Sequence, residues 1–589
     1  MLRVAWTVLV IAVLLASCGG GAPPAATSAP AEATAAVSTA QEAVSPSPSA
    51  PEQGMPPGPT SVPLDRPELV GGKAQPLPTE RGPWFSASGA CTVCHTNMTD
   101  AAGHDVSTDI LWRASMMANA ARDPYWQASV RREVQEHPAL QEVIEDKCAT
   151  CHMPMGRTTA VAQGDKPAVL EAGMLSPDHP LHVLAMDGVS CTLCHQIQPS
   201  PSDISATFSG GYVIDLEAPQ GERPAFGPFD VPPGQASVMQ VSSGFAPVQS
   251  EHMRDPALCA TCHTLYTPFV DDQGQVVGEF PEQTPYLEWR HSRYAGERTC
   301  QDCHMPPAQG AVSLSITGSP KREPIGQHIF AGGNVYVVEM MGLYPEDVAA
   351  TASPEQFALK RDQILSQLQE NAASVQVESA AREGNVLHLD VRVENRTGHK
   401  LPTGFPARRC WLHVVVRDST GAVLFESGGF TEEGKILGND GDEDAARYEP
   451  HRQEITSPDQ VQIYESVMVD TSGRVTTTLL RGARYVKDNR LLPAGFDPDA
   501  APEDIAVRGE AAADPDFTGG GDLVRYVVDL GDHPGPYTVT VELLFQSISY
   551  RWAQNLLTAE GPEIERFASL YGRVPNIPAL IDRVEVSVE

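Results

Sequence analysis

The pattern Cys-x-x-Cys-His occurs five times between residues 91 and 304, and no other feature constrains the chain as strongly. The copies are Cys91-Cys94-His95, Cys148-Cys151-His152, Cys191-Cys194-His195, Cys259-Cys262-His263 and Cys300-Cys303-His304. Two thiols three positions apart share one side of a tight turn, and the adjoining imidazole points at whatever the sulfurs hold. That is the attachment chemistry of c-type haem: two thioethers to the porphyrin vinyls, and the histidine on the iron. Zinc-binding or redox-active Cys-x-x-Cys pairs would not explain a histidine after every pair. Nor would they explain why no cysteine between 91 and 304 stands outside a motif. The sequence predicts five covalently attached haem c groups, with His95, His152, His195, His263 and His304 on the irons.

Such groups change what the composition means. Aromatic residues make up only 6% of the 589, and large flat porphyrins would supply part of the apolar interior that side chains do not. Lys and Arg number 41 against 75 Asp and Glu, a net charge of −34. A surface of that sign repels nucleic acid and anionic lipid, and suits basic patches on a protein partner or simple solubility outside the cell. Ten of the 12 cysteines belong to the motifs, which leaves Cys18 and Cys410 and no disulfide framework. Cys410 falls in a strand-like run and reads as a buried, inert thiol.

In chain order, residues 1–18 read as a lipoprotein signal peptide. Arg3 gives the positive start, Val8 to Leu15 an apolar run too short to span a bilayer, and Leu15-Ala16-Ser17-Cys18 the end. Cys18 is the expected lipidation site, which would tether the chain to a membrane without making it integral. Residues 19–80 are rich in Ala, Pro, Ser and Thr and read as a disordered linker. Residues 81–345 form the expected pentahaem domain, loop-rich and mainly α, with helical pieces at 108–122, 125–136 and 286–294. The Gly- and Pro-dense stretch 209–233 reads as loop. Residues 346–374 look like a connecting helix. From 375 the period changes to two: Leu387, Leu389, Val391 and Val393 alternate with His388, Asp390, Arg392 and Glu394. Further strands are expected at 410–417, 422–426, 476–480, 523–529, 537–545 and 584–588. The fold class is therefore α+β and multidomain, ending in a β-sandwich with insertions over 375–589.

The phrases around the motifs carry a resemblance. They are Asp187-Gly188-Val189-Ser190 before the third motif, Met-Pro after His152 and His304, and Glu288-Trp289-x-x-Ser292 before the fifth. With them the region resembles the multihaem c-type cytochromes related to the tetrahaem electron acceptor of hydroxylamine oxidoreductase. The C-terminal part resembles a β-rich module often joined to such cytochromes, through Gly398-His399-Lys400-Leu401-Pro402-Thr403-Gly404. The resemblance covers roughly residues 82–589 and implies electron transfer through closely stacked haems, with some members acting as reductases. Many relatives carry Trp-x-x-Ser-x-His-Ala, whose histidine binds an iron from the far side. Here the frame occurs at Trp112 and at Trp289 with Met117 and Tyr294 in the histidine's place.

Five irons with two axial ligands each need five more donors, and twelve histidines lie outside the motifs. His252 resembles a distal-ligand position of the relatives. His328 precedes two glycines that would let backbone approach a flat ring. His182 or its neighbour His179, then His104, His399 and the thioether of Met117 complete the candidates; His291 and His137 are weaker. His399 sits in a turn stiffened by Pro402, from which it could reach across to the haem region. Asp440, Asp442 and Asp444 alternate as in a calcium loop but lack its glycine and its final glutamate, so a solvated acidic turn is expected.

Two functions fit. The first is an exported, lipid-anchored cytochrome that passes electrons between a membrane redox partner (quinol-linked or another cytochrome) and an acceptor in the periplasm or outside the cell. The second is a reductase acting on a small nitrogen or sulfur compound at one five-coordinate haem.

Overall fold

The alternation in Leu387–Val393 produces the strand Val386–Asn395, whose apolar residues are fully buried while their neighbours face outward. In the computed structural model, which describes residues 63–589, this strand pairs antiparallel with Ala373–Glu383 on one side and Gly521–Asp529 on the other. Glu454–Ile455 adds a short parallel edge. A second, seven-stranded sheet runs Val475–Thr476, Ile463–Val469, Arg409–Arg417, Tyr537–Gln546, Ala579–Val588, with Val423–Ser427 and Arg484–Asp488 branching from it. Arg409–Arg417 is buried along almost its whole length because both its faces are covered. One face shares a core with Leu387, Val391 and Val524 of the first sheet; the other packs Trp411 against Phe430, Ile436 and Leu544.

Residues 410–417 and 422–426 form the expected hairpin around Asp418, whose carboxylate accepts the N–H groups of Thr420 and Ala422. The expected strand at 476–480 is instead a two-residue pairing at Val475–Thr476 followed by a 3₁₀ turn at Leu479–Arg481. Strands Ala373–Glu383, Ile463–Val469 and Arg484–Asp488 were not expected. Nor were helices Tyr550–Leu557 and Pro562–Tyr571, which add Trp552 and Phe567 to the large core. Ile463–Val469 is buried at every residue, so no alternation of buried and exposed positions marks it as a strand.

The N-terminal half is built from short helices. Helix Pro124–Glu136 starts on an Asp123 cap and matches the expected 125–136. Thr108–Arg113 and Pro285–Arg290 are shorter than expected. The connecting helix runs Pro354–Gln367 behind a capping box of Ser353 and Gln356, then ends in a wider turn over Leu368–Ala372. Stretch 209–233 is mainly loop, but Arg223–Gly227 pairs in parallel with Phe245–Gln249. Segment 63–80 has no helix or strand, in keeping with its composition, yet it is fastened to the body. Arg66 pairs with Glu339 at 3.0 Å, Leu69 is buried, and Pro78 accepts Gly89 N–H.

The halves interlock. Tyr125 and Arg131 of helix Pro124–Glu136 meet Phe567 and Glu563 of helix Pro562–Tyr571, rings 5.6 Å apart and Arg131–Glu563 at 2.7 Å. No helix among the described residues is long and apolar enough to cross a membrane. The expected signal peptide and Cys18 lie outside the described residues.

Candidate haem-binding centre

Each Cys-x-x-Cys-His falls in a helical turn: Gly89–Thr92, the end of Gln141–His152, Cys191–Cys194, Pro256–His263 and Cys300–His304. Residues three apart on a helix share a face, so each pair of sulfurs projects together. The five turns form one connected group. Sulfurs of different motifs lie close together, Cys91 by Cys191, Cys151 by Cys262 and Cys259 by Cys300. Motif order in space is therefore first–third and second–fourth–fifth, with Cys194 of the third close enough to Cys262 of the fourth to raise its own pKa electrostatically.

The motif histidines are oriented by the backbone. Nδ1 of His95 donates to Leu314 O (2.7 Å), His152 to Ala120 O (2.8 Å), His195 to Phe226 O (2.5 Å) and His304 to Ala331 O (2.6 Å). A carbonyl can only accept, so these rings carry their proton on Nδ1 and present a lone pair at Nε2, the arrangement of a metal-ligating histidine. Burial pushes the same way: His152 and His263 are lowered to about 4 and His328 to about 3, which keeps them neutral. Trp126 lies flat on the His152 ring at 4.4 Å and fixes its plane.

Two histidines outside the motifs face motif histidines. The rings of His195 and His328 are 6.4 Å apart at 24°, and those of His304 and His399 are 6.3 Å apart at 16°. An imidazole nitrogen lies about 2 Å from a bound transition metal and roughly 1 Å from its own ring centre. Two imidazoles on opposite faces of one metal therefore have centres roughly 6 Å apart. Both pairs have that spacing. His399 reaches it from the C-terminal half, with Nδ1 donating to Lys400 O at 2.8 Å so that Nε2 is free of the protein.

The other candidates separate by their hydrogen bonds. His182 donates Nδ1 to Met174 O (3.0 Å) and His291 to Leu287 O (2.8 Å), so both have the ligand-like arrangement. His291 was weak in the sequence because no loop glycine or family phrase supports it; its acceptor is its own helix, four residues back. His252 is committed elsewhere: Ser250 Oγ meets Nδ1 at 2.6 Å and Nε2 meets Ile197 O at 2.9 Å. His104 lies in an exposed turn beside Asp100, its side chain 67% accessible. In His179, Nδ1 accepts the Leu181 N–H instead. Met117 is half-buried, and its carbonyl accepts Val189 N–H at 2.9 Å, which places it beside the third motif. Tyr294 is turned away to the C-terminal half, donating its hydroxyl to Arg396 O at 3.0 Å.

The phrases outside the motifs turn out to be their fastenings. Asp187 accepts Ser88 N–H (2.8 Å) and Oγ–H (2.7 Å), tying the third motif to the first. Gly188 at φ +64° lies so close to the Met117 and Ala118 carbonyls that a Cβ would approach them to 2.7 Å. Buried Glu288 accepts Lys400 N–H (3.1 Å) and Thr403 Oγ–H (2.5 Å), so Glu288-Trp289 holds the turn carrying His399. The same carboxylate meets Arg490 at 2.9 Å, and Asp488 takes both Arg490 and Lys400. Two cations and two anions are thus buried together, and the two guanidinium and ammonium partners hold Asp488 well below the usual carboxylate range against its burial. The acidic turn at 440–444 is solvated in part: Glu443 and Asp444 are exposed as expected, but Asp442 is buried and grips Arg409 through both oxygens at 2.8 and 2.9 Å.

The residues present fit a haem better than a bare ion. Among the described residues, no three ligand atoms of these motifs converge as a metal ion alone would require. The paired thiols, the carbonyl-held histidines and the opposed imidazoles fit a group gripped at its edge and at both faces. The one convergent cluster, His451, Asp514 and Asp522, lies elsewhere. There His451 Nδ1 accepts from Gln462 and Asn489, which leaves the proton on Nε2 for Asp514 and no lone pair for a metal.

No family model matches the chain, and no curated protein matches it. Among solved structures it is similar to a penta-heme cytochrome c552 from Thermochromatium tepidum. Identity is 15%, with 82% of this chain and 96% of that chain covered, at a TM-score of 0.45. A likeness that distant carries no function.

Proposed function

We propose that the chain is a pentahaem cytochrome c that transfers electrons, exported and lipid-anchored at Cys18, between a membrane redox partner and an acceptor in the periplasm or outside the cell. The observation that supports it best is the pair of opposed imidazoles, His195 with His328 and His304 with His399. A ligand on each face of an iron leaves no position for substrate, which suits a carrier. Haem, when bound, supplies an iron that gains and loses one electron. The protein's own part is to hold donors still and to keep the centres adjacent. Nδ1–carbonyl bonds fix four proximal rings, burial keeps them neutral, and the bonds of Asp187 to Ser88 tie the third centre to the first. Export and the anchor rest on residues 1–18 alone; the net charge of −34 suits a basic redox partner.

Mass spectrometry of the mature protein tests the reading: the chain should exceed its polypeptide mass by five haems. A gain of four or fewer would contradict it.

One centre favours the second reading, a reductase acting on a small nitrogen or sulfur compound. Among the described residues His263 is the one motif histidine whose ring makes no hydrogen bond, and no ring packs against it, whereas His152 has Trp126. Burial lowers its pKa most, with His304 and then the Arg408 guanidinium adding to the effect. An iron held there with an open position beside a cation could take a small anion. A high-spin ferric signal, lost on adding nitrite or sulfite, would favour the reductase; five low-spin signals would favour the carrier.

A further inference from the structure

The turn that follows His328 is gripped from three directions. Lys360, on helix Pro354–Gln367, donates its ammonium to the Ile329 carbonyl. His304 Nδ1 donates to Ala331 O at 2.6 Å. Ser547 Oγ donates to Gly333 O at 3.1 Å, and the Phe545 ring packs so close that a Cβ on Gly333 would approach it to 2.5 Å. The expectation that these glycines make room for a porphyrin is therefore replaced at Gly333, where the room is taken by Phe545. Residues 328–333 thus serve two centres. His328 faces His195 of the third motif, and three residues on, Ala331 O sets the ring of His304 in the fifth.

Lys360 is the unusual member of this arrangement. Its side chain is 2% exposed, and no carboxylate is near enough to act on it; desolvation alone lowers its pKa, to about 7. Burying an amine without a counter-charge is costly, and packing alone would be met by Met or Leu at that volume. What an apolar residue could not do is hold the Ile329 carbonyl, which lies between the ligand His328 and the acceptor Ala331. A shift of that peptide would move both together.

We propose that Lys360 is a positioning residue whose bond to Ile329 sets His328 and Ala331 jointly, so that the centres of the third and fifth motifs are tuned as a pair. This rests on the haem reading above.

The test uses the full haem-loaded protein. Lys360→Met and Lys360→Arg are compared with wild type by electron paramagnetic resonance during a potentiometric titration at one pH. The two centres are assigned beforehand as the low-spin signals altered in His328→Met and in His399→Met. Lys360→Met should shift the g values and midpoints of those two signals and leave the other three in place. Lys360→Arg, which keeps the donor, should restore both. A shift of neither signal, of one alone, or of all five would overturn the proposal. If Lys360→Met does not accumulate folded, Lys360→Gln, which keeps an uncharged donor, should shift the same two by less; unmoved signals there would overturn it equally. Failure of the haem reading would look different: the mass would show fewer than five haems before any variant was made.

Discussion

The two halves of the molecule solve the same burial problem differently. From residue 373 on, long strands bury continuous apolar faces in one shared core, with Leu387, Val391, Val414 and Val541 all fully buried. Before residue 345 the apolar clusters are small and separate, around Met98 and Leu111, Trp126 and Met174, or Phe85 and Leu184. Helix Val335–Leu343 joins the large core instead, as do Leu69, Tyr125, Ala128 and Phe280. The motif helices are four to twelve residues long, and isolated helices shorter than about 12–15 residues are marginal in water. One half carries its own stabilising interior; the other consists of turns arranged around something it has to be given. Deep ion pairs such as Arg409–Asp442 and Lys487–Glu465 lie within the C-terminal sheets, where every partner is protein.

The largest expected effect tests that difference directly. In chain produced without haem attachment, hydrogen exchange should leave Val386–Asn395 and Tyr537–Gln546 protected while the five motif turns exchange almost as fast as unfolded peptide. Equal protection in both halves would refute the comparison. Next in size is Glu288→Ala, at the joint between the halves. It leaves Arg490 short of a partner and frees the turn holding His399. Losing one member of a buried ionic group costs about 3–5 kcal/mol, so thermal unfolding should begin well below wild type. One low-spin haem signal should change with it; an altered melting temperature with an unchanged spectrum would separate the joint from His399.

The smallest effect depends on pH. Glu133 accepts Leu479 N–H at 2.5 Å and Leu480 N–H at 3.2 Å across the same joint, and burial raises its pKa to about 7. A carboxyl whose folded pKa lies above its unfolded value binds more protons when folded, so stability is greatest at low pH. It should fall as pH rises between the two values, by at most about 3 kcal/mol. Glu133→Gln should flatten the melting temperature between pH 4.5 and 7. A slope unchanged by the substitution would assign the pH dependence to other groups.

Much of this was present in the sequence, for a physical reason. Cys-x-x-Cys-His needs only local chain to place its three donors, so Cys91 to His304 could be read in one dimension, and so could the alternation at Leu387–Val393, which a half-buried strand requires. The turn carrying His399 was also marked, by Pro402 and two glycines, and its ring lies 6.3 Å from that of His304. What residues lay opposite one another was not legible. The sequence ranked His252 above His291, and it held no sign of the bonds each ring makes, His291 to Leu287 and His252 to Ser250 and Ile197. Asp442 belonged to an apparent solvent turn until Arg409 closed on it, and Arg409–Arg417 lost its period by being covered on both faces. Local geometry fixes which atoms a residue offers. Which of them stay free depends on partners tens to hundreds of residues away, and those are brought into place only when the chain is folded.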